Sequence, residues 1–244
     1  MKVSPDIERM RRLITVNPRE FDNKILSEKD ILYWYELCDA VWLHDGDPEK
    51  PHAELISGMC SNGYFDCTRI LCYPNICEIL ARQLVQKLKK EIPFSIKEVD
   101  WVLDSAYAAI TFSYEVAKDL GATHGFVEKE PTDPKGKYMV WRRQTIPAYA
   151  QVLQVEELIT TAGTMNEVKR AVEEGNSEPV TFLPIVGALV HRPPQLLADS
   201  GDRKIIALIE REIWAVQSQD CPLCKAGSPR YRPKTHWKEL TGKV

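Results

Sequence analysis

The stretch that decides the fold runs from Val152 to Thr164 and reads V-L-Q-V-E-E-L-I-T-T-A-G-T. It begins with a short apolar run, which is typical of a strand buried in a parallel sheet. We expect the chain to turn at the acidic pair Glu156-Glu157 and to continue through a loop of small residues. A helix is predicted from Thr164, because apolar side chains then recur at helical spacing.

A strand, a loop of threonines and glycine, and a helix start in succession describe an anion site. Backbone N–H groups and threonine hydroxyls point into such a loop, and the helix dipole favours a phosphate there. The two carboxylates just upstream can accept hydrogen bonds from a pair of vicinal hydroxyls. A phosphate on one side and a diol on the other describe a ribose 5-phosphate. The alternative is an ordinary strand-to-helix turn without a ligand.

The same residues resemble the phosphoribosyl pyrophosphate motif of type I phosphoribosyltransferases, in which an apolar strand, an acidic pair and an apolar pair precede T-T-G-G-S/T. The chain departs from this motif at Glu157, where Asp is usual, and at Ala162, where the family has glycine. The resemblance covers the segment from Leu55 to Ile213. It implies the type I phosphoribosyltransferase fold, a mainly parallel α/β sheet flanked by helices on both faces.

Within that family the pattern is most similar to orotate phosphoribosyltransferases, which join orotate to phosphoribosyl pyrophosphate with Mg²⁺ and release pyrophosphate. The resemblance implies that Glu156 and Glu157 hold the ribose hydroxyls and that Lys129 lies near the leaving group. It implies a homodimer whose ligands are phosphoribosyl pyrophosphate or a nucleoside monophosphate, and a nucleobase. The residues expected to bind the 5-phosphate are Thr160, Thr161, Ala162, Gly163 and Thr164.

The segment from Leu55 to Asp66 resembles the S-G-x-x-S-x-x-Y-F-D segment that lines the base pocket of orotate phosphoribosyltransferases. The family usually has a lysine immediately before that Ser-Gly pair, and Ile56 stands there instead. Flat rings can stack on a pyrimidine, and an amide can read its edge. Burial of both aromatic rings in the strand core is the alternative. The expected base-pocket residues are Asn62, Tyr64 and Phe65.

A second buried strand, predicted at residues 99–103, precedes the position of the family's pyrophosphate loop. Asp104 replaces a glycine of that loop, and we expect its carboxylate to face the pyrophosphate. The two charges repel unless a Mg²⁺ ion lies between them and makes the carboxylate a ligand. The expected pyrophosphate loop consists of Asp104, Ser105, Ala106, Tyr107 and Ala108.

The polar segment from Lys129 to Lys137 resembles the mobile catalytic loop of orotate phosphoribosyltransferases in its position. A leaving pyrophosphate needs positive charge nearby. A surface hairpin with solvated lysines is an equal alternative. The cations available here are Lys129, Lys135, Lys137, Arg142 and Arg143.

The composition of the 244 residues is that of an ordinary folded domain, with 44% hydrophobic and 27% charged residues. A net charge of −3 gives no general sign of nucleic-acid or membrane binding. No signal peptide is visible, and no apolar run approaches the roughly 20 residues that span a bilayer. The seven cysteines are therefore expected to be reduced thiols or metal ligands in the cytoplasm.

Three parts are predicted along the chain. Residues 1–50 form a helical N-terminal extension, residues 51–216 the phosphoribosyltransferase-like core, and residues 217–244 a tail. Ser27 followed by Asp30 is a capping signal that predicts a helix start in the extension. A further helix is predicted at residues 75–90, with Pro93 as its stop. Further strands are predicted at 124–128, 180–190 and 205–209, and a turn at residues 199–202.

The tail carries a C-P-L-C run in which Cys221 and Cys224 have the spacing of a zinc knuckle. Structural zinc needs two more ligands, and the sequence does not choose among the candidates. Free thiols in a packed turn are the alternative, and the basic and aromatic residues that follow are interpreted as a solvated tail. The candidate ligands are His52, Cys60, Cys67, Cys72, Cys77 and His236.

Three functions fit these patterns. The first is phosphoribosyl transfer of the orotate type, which serves pyrimidine nucleotide synthesis. The second is a regulatory or effector protein that binds a nucleotide on the same fold without transfer chemistry. The third is a nucleotide glycosidase, in which water is the acceptor. Fold alone does not separate them.

Overall fold

The computed structural model describes residues 4–92, 95–193 and 203–242. Two predictions, a helix end at Pro93 and a turn at residues 199–202, lie outside these ranges. Among the described helices, none combines the length and the apolar character that crossing a membrane requires.

The N-terminal part begins with helices and continues into short strands. A capping box between Ser27 and Asp30 starts the second helix, as their spacing predicts. The predicted helical extension is helical to Leu37, after which a strand follows. The elements are α1 (Pro5–Ile14), a 3-10 turn (Pro18–Phe21), α2 (Glu28–Leu37), β1 (Val41–Leu43), β2 (His52–Glu54), β3 (Cys60–Ser61), β4 (Gly63–Phe65), α3 (Thr68–Leu71) and α4 (Pro74–Glu91).

The rest of the chain alternates strands and helices and ends in short elements. Gly121 ends the fifth helix with a φ of 72°, a conformation that favours glycine. The elements are a 3-10 turn (Ser95–Glu98), β5 (Trp101–Asp104), α5 (Ile110–Leu120), β6 (Thr123–Phe126), β7 (Glu128–Lys129), β8 (Met139–Val140), β9 (Gln151–Ile159), α6 (Gly163–Gly175), β10 (Thr181–His191), β11 (Lys204–Glu210), β12 (Ala215–Val216), α7 (Pro222–Lys225), β13 (Arg230–Tyr231) and α8 (Trp237–Thr241).

The central sheet has the strand order β11-β10-β9-β5-β6, and all its neighbouring strands are parallel. Apart from β9, its strands begin and end within one to two residues of their predicted positions. One face packs against α4 and α5, and the other packs against α6. Because both faces are covered, β9 and β10 are apolar on both sides. The predicted fold class is confirmed.

The predicted turn at Glu156-Glu157 is wrong, because β9 continues through both residues to Ile159. In the ladder with β10, Glu156 lies opposite Ala188 and Leu158 lies opposite Val190. These hydrogen bonds hold the acidic pair in an extended conformation. The turn follows at Ala162, whose φ is 55°, and α6 begins at Gly163.

A second, small sheet joins the start of the predicted core to the tail. Its strand order is β12-β3-β2-β13, and β13 pairs with β2 in parallel, with Arg230 opposite His52. The neighbouring strands β1 and β4 pair with each other. The division of the chain near residue 216 stays a prediction, and this sheet contains strands from both sides of it.

The hairpin of β7 and β8 is held on α6. Glu167 accepts a hydrogen bond from the backbone N–H of Met139 at 2.8 Å, and Arg170 donates to the Met139 carbonyl at 2.7 Å. At the other end of α6, Gly175 touches the chain that follows β8. A Cβ atom at Gly175 would lie 2.6 Å from the carbonyl oxygen of Trp141.

We expect Gly175→Ala to lower the free energy of unfolding by about 1–3 kcal/mol, because the added methyl group meets backbone rather than a flexible side chain. Alanine's higher helix propensity offsets only part of this cost. Urea denaturation measures the difference. Glu173→Ala, on the exposed surface of the same helix, is the control and should change the free energy by less than about 0.5 kcal/mol. Equal stabilities of the two variants would contradict the contact.

Candidate active site

A cleft of about 470 Å³ opens at the carboxyl ends of β5 and β9. Crevices in open parallel sheets lie at this edge. The cleft brings together three segments that the sequence singles out: the acidic pair, the threonine loop and the hairpin lysines. Its lining includes Ser105, Ala106, Lys129, Lys137, Glu156, Glu157, Thr161, Gly163 and Thr164.

The Glu156 carboxyl group lies at the floor of the cleft and is only 2% exposed. It accepts hydrogen bonds from the hydroxyl of Ser105 at 2.7 Å and from the side-chain amide of Gln154 at 2.8 Å. Burial raises its pKa to about 8, and the nearby charge of Glu157 acts in the same direction. The ligand-free protein therefore keeps Glu156 largely protonated at neutral pH.

Glu157 is half-buried and also lines the cleft. Burial is the main cause that raises the pKa of its carboxyl group. Alternate side chains of a strand point to opposite faces, so Glu156 shares a face with Gln154. Glu157 lies on the side of Cys67, whose thiol pKa is raised by burial and, in addition, by the nearby charge of Glu157. The two carboxyl groups therefore reach the cleft from opposite faces of β9.

Arg203 supports the floor of the cleft, and the sequence patterns do not reveal it. Its guanidinium donates to the Gln154 side-chain oxygen at 2.6 Å and to Asn166 at 3.0 Å. Gln154 thus connects the buried Arg203 guanidinium to the Glu156 carboxyl group through two hydrogen bonds. A polar residue at the centre of an apolar strand is the signal that could have indicated this arrangement, since a buried amide requires partners.

The threonine loop encloses a small pocket at the position where its composition predicts an anion site. The pocket has a volume of about 30 Å³ and is lined by backbone and side chains from residue 158 to 165. Thr161, Gly163 and Thr164 are exposed to solvent at the start of α6. Among the described residues other than its chain neighbours and the backbone of its own helix, only the Thr161 hydroxyl, at 3.8 Å, lies within 4 Å of the position of a Cβ at Gly163, so a ligand can approach the backbone there.

The Asp104 carboxylate does not face the cleft, contrary to our expectation. It is fully buried, and it is hydrogen-bonded by His124 at 2.9 Å and by Ser113. Burial raises its pKa, although both hydrogen bonds oppose this effect. As the last residue of β5, Asp104 is directed towards α5 and β6 rather than towards the loop. Among the predicted loop residues, Ser105 and Ala106 line the cleft, and Tyr107 is 67% exposed.

The segment from Lys129 to Lys137 folds as a hairpin, and two of its cations line the cleft: Lys129 and Lys137. The two arginines that follow it are paired with carboxylates of the hairpin. Arg142 pairs with Glu130, and Arg143 pairs with Glu128 at 2.6 Å. The positive charge that a ligand can meet here therefore comes from the lysines.

The predicted base-pocket residues occupy different environments. The Asn62 side chain accepts a hydrogen bond from the Trp214 backbone at 2.9 Å. Phe65 is 3% exposed and packs edge-on against Tyr35, with ring centroids 5.2 Å apart, so its ring is part of the core. Tyr64 is half-buried, 6.2 Å from the Trp237 ring.

Arg192 lies beside Tyr64 and is absent from our predictions. It follows the last residue of β10, and burial lowers the pKa of its guanidinium. Within the described part of the chain, its buried Nε atom has no hydrogen-bond partner, and its Nη1 atom lies 3.5 Å from the Gly63 carbonyl oxygen. A half-buried cation with an unused donor, next to the carboxyl end of a sheet strand, can bind an anionic ligand group.

Away from the cleft, the knuckle cysteines meet two other candidate ligands. Cys221, Cys224, Cys60 and His52 place their sulfur and nitrogen atoms within 4.8 Å of one another. The other candidates lie elsewhere. Cys67 contacts Tyr35, Cys77 is a buried residue of α4, Cys72 is exposed, and His236 stacks on Tyr231.

Comparisons with known proteins identify relatives. The curated orotate phosphoribosyltransferase of Pelotomaculum thermopropionicum is 33% identical over 194 residues, which are 80% of this chain and 94% of the relative. The corresponding protein of Desulforamulus reducens is 34% identical over 182 residues, 75% of this chain and 87% of the relative. The crystal structure of orotate phosphoribosyltransferase from Aeropyrum pernix shares the fold, with a TM-score of 0.51 and 16% identity over 73% of this chain and 92% of that one. No family model matches.

The raised pKa of Glu156 makes stability depend on pH. The unfolded chain releases this proton near its ordinary pKa of 4.5, whereas the folded protein keeps it up to about 8. The contribution of Glu156 to stability is therefore most favourable below pH 4.5 and falls as the pH rises between these two values, by up to about 1.4 kcal/mol per pH unit. We expect Glu156→Gln to remove this part of the slope.

Urea denaturation of the ligand-free protein at several pH values between the two pKa values measures the slope. Glu173→Gln, which changes an exposed carboxylate, is the control and should retain the slope of the wild type. A Glu156→Gln variant that loses stability with pH as steeply as the wild type would contradict the protonated state of Glu156.

Proposed function

The chain belongs to the orotate phosphoribosyltransferase family, and we propose that it transfers the 5-phosphoribosyl group of phosphoribosyl pyrophosphate to a pyrimidine base that carries a carboxylate, with release of pyrophosphate. The observation that carries this proposal is one cleft that combines the acidic pair Glu156-Glu157, the threonine loop and two lysines. These groups match the diol, the phosphate monoester and the leaving group of that donor.

The threonine loop is proposed to anchor the 5-phosphate. Open backbone N–H groups at the start of α6, together with the Thr161 and Thr164 hydroxyls, supply donors for a phosphate. An anchor at this end of the cleft orients the ribose so that its two hydroxyls reach the acidic pair. Most of the rate enhancement then comes from positioning and electrostatics.

The acidic pair is proposed to stabilise the ribose as positive charge develops at its anomeric carbon. Protonated Glu156 can donate to one ribose hydroxyl while Ser105 and Gln154 hold its carboxyl group in place. Glu157 accepts from the other hydroxyl. As positive charge develops on the ribose in the transition state, the attraction between the sugar and the negative charge of the Glu157 carboxylate strengthens, while the hydrogen bond from Glu156 keeps the ribose in place.

Lys129 and Lys137 are proposed to receive the pyrophosphate. Both line the cleft on the hairpin, opposite the threonine loop. Mg²⁺ is the cofactor that the family implies, and oxygen ligands suit it. The oxygen donors at the cleft, from Ser105 and Glu157, fit such an ion. When bound, it supplies positive charge that stabilises the leaving pyrophosphate. The homodimer that the resemblance implies stays a prediction.

The base carboxylate is proposed to bind at Arg192. Ile56, at the position where the family usually has a lysine, is 82% exposed and offers no charge. Arg192 supplies a cation next to Tyr64, whose ring can stack on the base. The partial burial of the guanidinium strengthens its attraction for a carboxylate.

A pyrophosphate-release assay with Mg²⁺, phosphoribosyl pyrophosphate and a panel of bases tests the proposed function. We expect turnover with orotate and none with adenine or hypoxanthine. The double variant Glu156→Gln/Glu157→Gln should reduce kcat/KM by about 10²- to 10³-fold or more, because the transition-state charge loses its partners. Glu173→Gln is the control and should retain full activity.

Each other outcome assigns a different function. Pyrophosphate release that does not require a base would identify water as the acceptor. Tight binding of a nucleoside monophosphate, with no pyrophosphate released for any base, would identify a binding protein and contradict the transfer reaction.

The role of Arg192 gives a separate prediction. We expect Arg192→Gln to raise the KM for orotate by about 10- to 100-fold, as for the loss of a charged hydrogen-bond partner. The KM for phosphoribosyl pyrophosphate should change by less than about threefold. Arg211→Gln, at an exposed arginine that pairs with Glu28, is the control. An unchanged KM for orotate would contradict the assignment.

A further inference from the structure

Four side chains from distant parts of the chain meet under the small sheet. His52 lies on β2, Cys60 lies on β3, and Cys221 and Cys224 flank the start of α7. His52, Cys60 and Cys221 are fully buried, and Cys224 is half-buried. All three cysteines are free thiols. Three sulfurs and an imidazole that converge in a buried place form a metal-ligand set.

The distances between these atoms match a common tetrahedral centre. The sulfurs of Cys60 and Cys224 are 3.5 Å apart, and His52 Nε2 lies 3.6 Å from the Cys221 sulfur and 3.4 Å from the Cys224 sulfur. With metal bonds of about 2.3 Å to sulfur and 2.0 Å to nitrogen, tetrahedral geometry requires about 3.8 Å between sulfurs and about 3.5 Å between sulfur and nitrogen. The side chains are already arranged for one small ion.

The hydrogen bonds of His52 leave its Nε2 atom able to bind a metal. Ser228 donates its only hydroxyl proton to the carbonyl of Lys50 at 2.6 Å, so towards His52 Nδ1, at 2.8 Å, it can only accept. Nδ1 therefore carries the proton, and the lone pair of Nε2 faces the sulfurs. A hydrogen bond from the second ring nitrogen is the usual support of a metal-bound histidine.

Other contacts suit thiolates. The backbone N–H of Cys224 points to the Cys221 sulfur at 3.4 Å, and Arg230 donates to the Cys60 sulfur at 3.8 Å. Three thiolates, a neutral imidazole and a divalent ion carry a net charge of −1, which the Arg230 guanidinium lies close enough to offset. No carboxylate belongs to the cluster among the described residues.

We propose that His52, Cys60, Cys221 and Cys224 bind one zinc ion that fastens the tail to the small sheet. Soft sulfur ligands with one imidazole select zinc over magnesium or calcium. Four protein ligands fill a tetrahedral shell and leave no position for a substrate, so the ion has a structural role. This site lies apart from the cleft, and its assignment does not depend on the proposed transfer reaction.

The ion also connects the tail to the region of Tyr64, the ring that is proposed to stack on the base. Beyond the cluster, β13 pairs with β2, and α8 places the Trp237 ring 4.6 Å from the Arg69 guanidinium and 6.2 Å from the Tyr64 ring. Fixing Cys221 and Cys224 to β2 and β3 therefore limits the positions that Trp237 can occupy.

Metal analysis of the full chain, expressed with zinc and purified without chelators, tests the proposal. We expect about one zinc per chain. Removal of the metal by a strong chelator should lower Tm by about 5 °C or more, because the ion binds only the folded state. The reduced, metal-free protein titrated with Co²⁺ should then develop the d–d and sulfur-to-cobalt bands of a tetrahedral thiolate site, and zinc should abolish them.

Cys221→Ser/Cys224→Ser should retain less than about a tenth of the zinc. Cys72→Ser, which changes an exposed thiol outside the cluster, is the matched control and should keep the metal. The Co²⁺ titration of the metal-free wild type tests the metal site even if the double variant does not fold. Metal-free wild type without cobalt bands, iron in place of zinc, or a Cys60–Cys224 disulfide in the purified protein would each overturn the proposal.

Discussion

The ladder that holds β9 between β5 and β10 is the constraint on which the rest of the site depends. It keeps Glu156 and Glu157 extended at the carboxyl end of a buried strand, so the two carboxyl groups reach the cleft from opposite faces. A carboxylate in this position loses its hydration, and burial raises the pKa of both groups. Hydrogen bonds from Ser105 and Gln154 offset part of the free-energy cost of burying the Glu156 carboxyl group in the ligand-free protein. Arg203 in turn holds the Gln154 side chain in place.

The position of Asp104 changes the electrostatics of the leaving-group side. A carboxylate in the pyrophosphate loop would repel a ligand that carries several negative charges. The structure directs this carboxylate away from the cleft, where His124 and Ser113 hydrogen-bond it. The loop therefore presents Ser105 and backbone groups to a ligand. Among the described residues that line the cleft, the cations are Lys129 and Lys137. The loss of the family's loop glycine does not by itself place negative charge against the substrate.

Much of the fold follows from local sequence patterns, because parallel strands buried on both faces are recognisable as apolar runs. The start of α6, the threonine loop before it and the capping box at Ser27 were likewise predictable from residues close in sequence. The extension of β9 through Glu156 was not, since the ladder with β10 overrides the turn that two acidic residues suggest. The burial of Asp104 and the support from Arg203 also depend on partners that are distant in the chain. A single sequence does not reveal such pairs.

The small sheet illustrates the same limit at the second site. The knuckle spacing indicates two thiols that can share a metal, but the remaining ligands become evident only when β13 lies beside β2 and β3. Tyr64 follows Cys60 by four positions in the chain. Between them, the Asn62 side chain accepts a hydrogen bond from the Trp214 backbone and so holds this segment in place. A change in the register of β3 would therefore displace both Cys60, a proposed metal ligand, and the ring of Tyr64. The tail and the segment around Tyr64 are linked through the small sheet, although more than half of the chain separates them in the sequence.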